Sequence, residues 1–100
     1  MVNKPAVVWN KSAESSLKRI YQYIKEDSPQ SAEKVRDEIF AIARQLADHP
    51  EKYALDKFKE QNQGDHRAFE KHSCRVAYRV TEKQIRILRV RHVKQEPKIY

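Results

Sequence analysis

The periodicities along this 100-residue chain predict an α+β fold. The expected order is β-α-α-β-β-β, with a helical hairpin packed on a small antiparallel sheet. Two observations carry that expectation. Apolar side chains recur at helical spacing between residues 12 and 48, and three segments between 67 and 92 alternate apolar and polar residues as half-buried strands do. A third observation concerns charge. Residues 1–50 hold eight Lys/Arg against seven Asp/Glu, a net of +1, while residues 51–100 hold thirteen against seven, a net of +6. Within 67–94, nine basic residues (Arg67, Lys71, Arg75, Arg79, Lys83, Arg86, Arg89, Arg91 and Lys94) meet only Glu70 and Glu82.

Taken in order, Ala6-Val7-Val8-Trp9 reads as a short opening strand. A first helix follows from about 12 to 26, with Ala13, Leu17, Ile20, Tyr21 and Ile24 on its apolar stripe. Ser28-Pro29 restarts the helix: serine suits the N-cap, and proline suits the first turn, where its missing N–H costs nothing. The second helix is expected over 29–48, with Ala32, Val35, Ile39, Ile42, Ala43 and Leu46 along one face and Pro50 as its stop. So short a break predicts an antiparallel helical hairpin. Residues 51–66 lack a period and contain the one glycine, so they read as a loop with a tight turn at Gln63-Gly64-Asp65.

Three strands are then expected over 67–71, 74–80 and 84–92, joined by short turns at His72-Ser73 and Thr81-Glu82-Lys83 as a meander. The last of them changes phase. Ile85 and Ile87 alternate one way and Leu88 and Val90 the other, which predicts a bulge or twist near Leu88. Arg75 and Arg79 should project from one sheet face while Cys74, Val76, Tyr78 and Val80 face the helices. That gives an arginine-rich surface suited to a polyanion, RNA first among them.

The length suits one domain over residues 1–100, and a pI near 9.6 fits an anionic partner. The lone Cys74, on an apolar strand face, reads as a small buried hydrophobe in a reducing compartment. No long apolar run follows Met1-Val2-Asn3-Lys4-Pro5, and no stretch nears the roughly 20 apolar residues of a membrane span. A cytoplasmic protein with no membrane contact is expected. Glycine-rich phosphate loops and paired cysteines are missing, and His49, His66, His72 and His92 are scattered, so no metal or cofactor is implied.

Several of these residues together resemble a known superfamily. Val8-Trp9-Asn10, Ala13, Leu17, Ile20, Tyr23-Ile24, Ser28-Pro29 and Ala32 resemble the helical hairpin of the RelE/ParE bacterial toxins. Cys74-Arg75-Val76-Ala77-Tyr78-Arg79-Val80 and Ile87-Leu88-Arg89-Val90-Arg91-His92 resemble its two central strands. Asp56-Lys57-Phe58-Lys59, Arg67-Ala68-Phe69-Glu70, and Glu96-Pro97 before Tyr100 resemble a ParE-like subgroup. The resemblance implies a toxin silenced by a cognate antitoxin encoded beside it. It implies two kinds of target, since relatives include ribosome-dependent mRNA endonucleases (RelE, YoeB, HigB) and poisons of DNA gyrase (ParE).

An endonuclease of this kind needs an acid/base pair and cations for the phosphorane charge. The resemblance assigns the acid/base role to His92, where YoeB-like toxins keep a histidine, and the phosphate-stabilising role to Arg75, whose guanidinium fork suits the task. Lys57, Lys59 and Arg67 resemble the residues that hold the mRNA backbone in RelE, and Arg79, Arg89 and Arg91 extend the cationic face. Val93 stands where the YoeB group has an aromatic, Glu60 and Glu70 are the available substitutes for a loop glutamate, and Tyr100 can fold back to bring a phenol to the site. The function favoured by the sequence is a growth-arresting mRNA endonuclease with ribosome and mRNA as partners; the alternatives are a non-catalytic gyrase poison or a plain nucleic-acid-binding module. Arg75 and His92 are expected within about 10 Å of each other on a shared cationic surface, given strands about 4.8 Å apart.

Overall fold

The computed structural model describes residues 4–95 and 98–100, so Met1-Val2-Asn3 and the Glu96-Pro97 pair lie outside the described residues. The elements run β1 (Ala6–Trp9), α1 (Lys11–Asp27), α2 (Pro29–Gln45), β2 (His66–Lys71), β3 (Cys74–Val80) and β4 (Gln84–His92). The helical hairpin turns on one residue. The Ser28 amide closes α1 by donating to the Ile24 carbonyl at 2.9 Å, and its Oγ opens α2 by accepting from the Ser31 amide at 3.2 Å. Pro29 follows as the first residue of α2. Ala13 of α1 and Ala32 of α2 are fully buried. Helix α2 stops at Gln45 rather than 48 because the chain tightens there: Leu46, Ala47 and Asp48 each donate three residues back, to Ala43, Arg44 and Gln45.

The sheet order is β1-β4-β3-β2, with β2, β3 and β4 antiparallel and β1 parallel to β4. The sheet is therefore mixed rather than wholly antiparallel. Strand β1 passes straight into α1 through Asn10, with no hairpin turn between them, and the helices serve as the crossover that a parallel pairing requires. Asn10 fixes that junction, its side-chain oxygen accepting from Arg86 at 2.9 Å.

One sheet face meets the helices. Phe69, Cys74, Val76, Tyr78, Ile85, Ile87 and Val90 are buried there with Leu17, Val35, Ile39, Ala43 and Leu46. The expected irregularity in β4 falls at Leu88: Ala77 pairs with Arg89 and Tyr78 with Ile87, leaving Leu88 as the extra residue. Without it, Val90 would point away from Ile85 and Ile87. The bulge restores the phase, buries all three, and sends Arg89 and Arg91 to the opposite face with Arg75.

The arginine face is less open than the alternation suggested. The 46–65 connection runs along the edge of β2, where Leu55 bridges to Arg67, and then onto that face. Its turn at Gly64 uses a φ of +95°, and the Asn62 side chain accepts from the Gly64 amide at 2.9 Å. Residues 98–100 return beside it: the Tyr100 amide donates to the Phe58 carbonyl at 2.9 Å and the Glu60 amide to the Tyr100 carbonyl at 2.6 Å.

The β2–β3 turn places two side-chain-bearing residues in the left-handed region, His72 at φ 52° and Ser73 at φ 62°. Two-residue hairpins of this twist favour Asn-Gly because such a φ costs other residues about 1 kcal/mol or more. Ser73→Gly is therefore expected to raise unfolding free energy by about 0.5–1 kcal/mol, measured by urea denaturation. An unchanged or lowered midpoint would mean the turn is not strained.

Candidate functional site

The site begins with a carboxylate. Asp56 is buried under the connection on the arginine face, only 2% exposed, the one buried charged side chain among the described residues. An isolated charge there would be costly, and the chain supplies three donors. Arg75 Nη2 reaches one carboxylate oxygen at 2.9 Å, the Phe58 amide reaches the same oxygen at 3.0 Å, and the Tyr100 hydroxyl reaches the other at 2.7 Å. Burial pushes the Asp56 carboxyl up, but those three hydrogen bonds outweigh it and hold it below the usual carboxylate range. Burial and the hydrogen bond into Asp56 likewise push the Tyr100 phenol well above its ordinary value, so it remains a donor.

Arg75 is shared. Its other terminal nitrogen donates to Glu70 at 2.8 Å, and its guanidinium lies 4.8 Å from the centre of the Phe58 ring. Arg89 sits beside it, with its guanidinium 4.0 Å from the centre of the Tyr100 ring and a 2.5 Å hydrogen bond to the Lys98 carbonyl. Burial, with the nearby Arg91 and Arg75 charges, lowers the Arg89 pKa from its ordinary value. These groups border a cleft of about 180 Å³ lined by Lys57, Phe58, Arg75, Arg89, Arg91 and His92, with Glu70 on its wall.

The sequence-derived candidates thus divide. Lys57, Arg75, Arg89, Arg91 and His92 converge on the cleft. Lys59 flanks it, its Nζ 5.4 Å from the Tyr100 ring centre and bonded to the Glu60 carbonyl at 2.9 Å. Arg79 lies farther along the same face, paired with Asp65 at 2.8 Å. Arg67 stands opposite Tyr78 in the strand register, so it points to the helix side. It donates to the Tyr53 carbonyl at 2.6 Å and so fastens the 46–65 connection.

His92 occupies a boundary. It pairs in register with Cys74, a fully buried residue of the helix face, whereas Arg75 pairs with Arg91 on the other face. His92 and Arg75 therefore leave the sheet on opposite sides and meet only where β4 ends and the chain turns. The His92 Nδ1 accepts from the Lys94 amide at 3.1 Å, so a neutral ring carries its proton on Nε2. Cys74 is inert in this setting, since burial pushes its thiol up.

Sequence reasoning passed over Asp56 and Phe58 as site residues. Both lie in an aperiodic loop, and only the three-dimensional return of that loop over β3 brings them to Arg75. Asp56→Asn is expected to cost about 2–4 kcal/mol of stability, since it removes the anion from a buried pair. Tyr100→Phe is expected to cost about 1–2 kcal/mol. The folded pKa of Asp56 lies below the unfolded value of about 3.9. Its contribution is therefore present above that value and lost as pH falls through the folded one. Urea melts from pH 7 down to pH 2 should show this acid-side loss in the native chain and a shallower one in Asp56→Asn; equal slopes would remove Asp56 from its central place.

The geometry can be set beside known proteins. A family model described as "ParE toxin of type II toxin-antitoxin system, parDE" matches residues 7–97. A search of curated protein sequences gives no match. Among solved structures, the chain is similar to a "Chromosomal ParDE TA system from P. aeruginosa", with a TM-score of 0.68, 23% identity, and coverage of 89% of this chain and 96% of that one. It is also similar to "The structure of YoeB dimer from Staphylococcus aureus", with a TM-score of 0.56, 14% identity, and coverage of 87% and 94%. Both likenesses are of fold: two helices on a four-stranded mixed sheet. With the family model spanning nearly the whole chain, this protein belongs to the ParE toxin family of type II toxin–antitoxin systems.

Proposed function

We propose that this toxin arrests growth as a non-catalytic poison of DNA gyrase, held in check by a cognate antitoxin with an acidic segment. The observation that carries this reading is the state of Arg75. Metal-free RNA cleavage needs a cation available to the phosphorane, in place before the reaction. Here both terminal nitrogens of Arg75 are bonded to carboxylates, Asp56 and Glu70, and Phe58 covers one face of the guanidinium. His92 adds to this. Its Nδ1 is taken by the Lys94 amide, so the neutral ring offers a donor rather than a base.

A second reading, a ribosome-dependent mRNA endonuclease, is favoured by a different observation: Lys57, Arg75, Arg89, Arg91 and His92 line one cleft. The two readings separate in one culture. After induction, gyrase poisoning should alter plasmid supercoiling and produce protein-linked DNA breaks without new mRNA ends, and His92→Gln should arrest growth within about twofold of the native toxin. New mRNA 5′ ends at codon boundaries, lost in His92→Gln, would overturn the gyrase reading and install the nuclease.

A further inference from the structure

Residues 98–100 lie across the cationic face as a strap, and one side chain anchors them. Lys98 is exposed and Ile99 is 64% exposed, so neither packs the strap down. Tyr100 does: its hydroxyl donates to Asp56 at 2.7 Å, and its ring stands edge-on to the His66 ring with centres 5.9 Å apart. The backbone of Tyr100 is bonded to Phe58 and Glu60, which belong to the 46–65 connection and not to a strand. A three-residue segment held by one side chain and by bonds to a loop lies at the low-stability end of a fold. Opening it costs far less than unfolding the chain.

What the strap covers is Arg89. The Tyr100 ring centre lies 4.0 Å from the guanidinium, and the Lys98 carbonyl accepts from Nη2 at 2.5 Å. Both contacts come from the strap. Arg75 differs, since its two carboxylates, Asp56 and Glu70, belong to the connection and to β2. Opening the strap therefore releases Arg89 and leaves Arg75 held. A released Arg89 faces the same cleft as Lys57 and Arg91, on a chain of net charge +7. A guanidinium fork with cations beside it suits phosphate, and a chain this basic attracts polyanions without regard to their sequence.

We infer that residues 98–100 are an autoinhibitory strap: closed, they withhold Arg89 from the phosphates of single-stranded nucleic acid, and open, they let the cleft capture them. The ligand chemistry is the phosphodiester backbone, common to RNA and DNA. Such capture is independent of which target the toxin has. The strap gives Arg89 a neutral ring and a neutral carbonyl rather than an anion, so a phosphate is the stronger partner once admitted.

The test uses the full chain with single-stranded RNA and DNA of about 20 nucleotides. Tyr100→Ala removes the anchor and should bind both at least about fivefold more tightly than the native toxin in about 100 mM salt. Its plot of log affinity against log salt should steepen by about 0.7, the effect of one added phosphate contact on a single strand. Arg89→Gln alone should leave binding within about twofold of native, and added to Tyr100→Ala it should abolish the gain. Hydrogen exchange of the Glu60 amide, which donates to the Tyr100 carbonyl, should speed up in Tyr100→Ala and so report opening directly. Ile99→Ala is the control and should change neither. Circular dichroism checks that each variant folds. Where Tyr100→Ala does not, Tyr100→Phe decides: it keeps the ring, loses the hydroxyl bond to Asp56, and should gain in the same direction by a smaller factor. An unchanged affinity in the folded strap variant overturns the inference. So does a gain that survives Arg89→Gln, which places the capture elsewhere, or one confined to RNA, which assigns it to more than the phosphates.

Discussion

The carboxylate of Asp56 ties together parts of the chain that otherwise have little reason to meet. It belongs to the aperiodic connection, it binds an arginine on β3, and it receives the hydroxyl of Tyr100 from the C-terminal segment. A buried anion demands donors, and each donor here comes with its own backbone. Placing Tyr100 on Asp56 lays its ring against Arg89 and brings its main chain alongside Phe58 and Glu60. The face that alternation alone would leave as a row of solvated arginines becomes a layered surface, with charge held beneath aromatic rings.

The Leu88 bulge does comparable work within the sheet. It lets one strand serve a core that needs Ile85, Ile87 and Val90 on the same side and a cationic face that needs Arg89 and Arg91 on the other. Its position just upstream of His92 also decides where that imidazole emerges. With a bulge at Leu88, His92 falls in phase with Val90 and opposite Cys74, at the rim of the core rather than beside Arg75. The separation of the two residues by the sheet is thus a consequence of strand phase, not of an accident in the final turn.

How much of this was legible beforehand follows from range. Local rules were enough for Ser28-Pro29, whose capping and restart geometry involve only neighbours, and for the phase change at Leu88, which is written in the order of apolar residues. They were also enough for the His72-Ser73 turn, whose length is set by the strands on either side. They could not supply the parallel pairing of β1 with β4, because alternation is the same in either direction. Nor could they supply the Asp56–Arg75–Tyr100 contact, which joins residues 19 and 44 positions from Asp56. Arg67 shows the limit most plainly. Its charge suggested a phosphate, while its register turned it to the helix side, where carbonyls of the connection use it instead.

The charge excess of the second half of the chain, the feature that first suggested a polyanion, has a different meaning once partners are assigned. Arg75 and Arg79 are matched by Asp56, Glu70 and Asp65, and Arg67 and Arg89 spend hydrogen bonds on backbone carbonyls. Much of the arginine content therefore builds the surface that carries the charge. At the cleft beside Arg75, what matters is then not how many cations border it but what stands against those cations. It holds two carboxylates, Asp56 beneath it and Glu70 on its wall, against Lys57, Arg75, Arg89 and Arg91, and both of those carboxylates are bonded to Arg75.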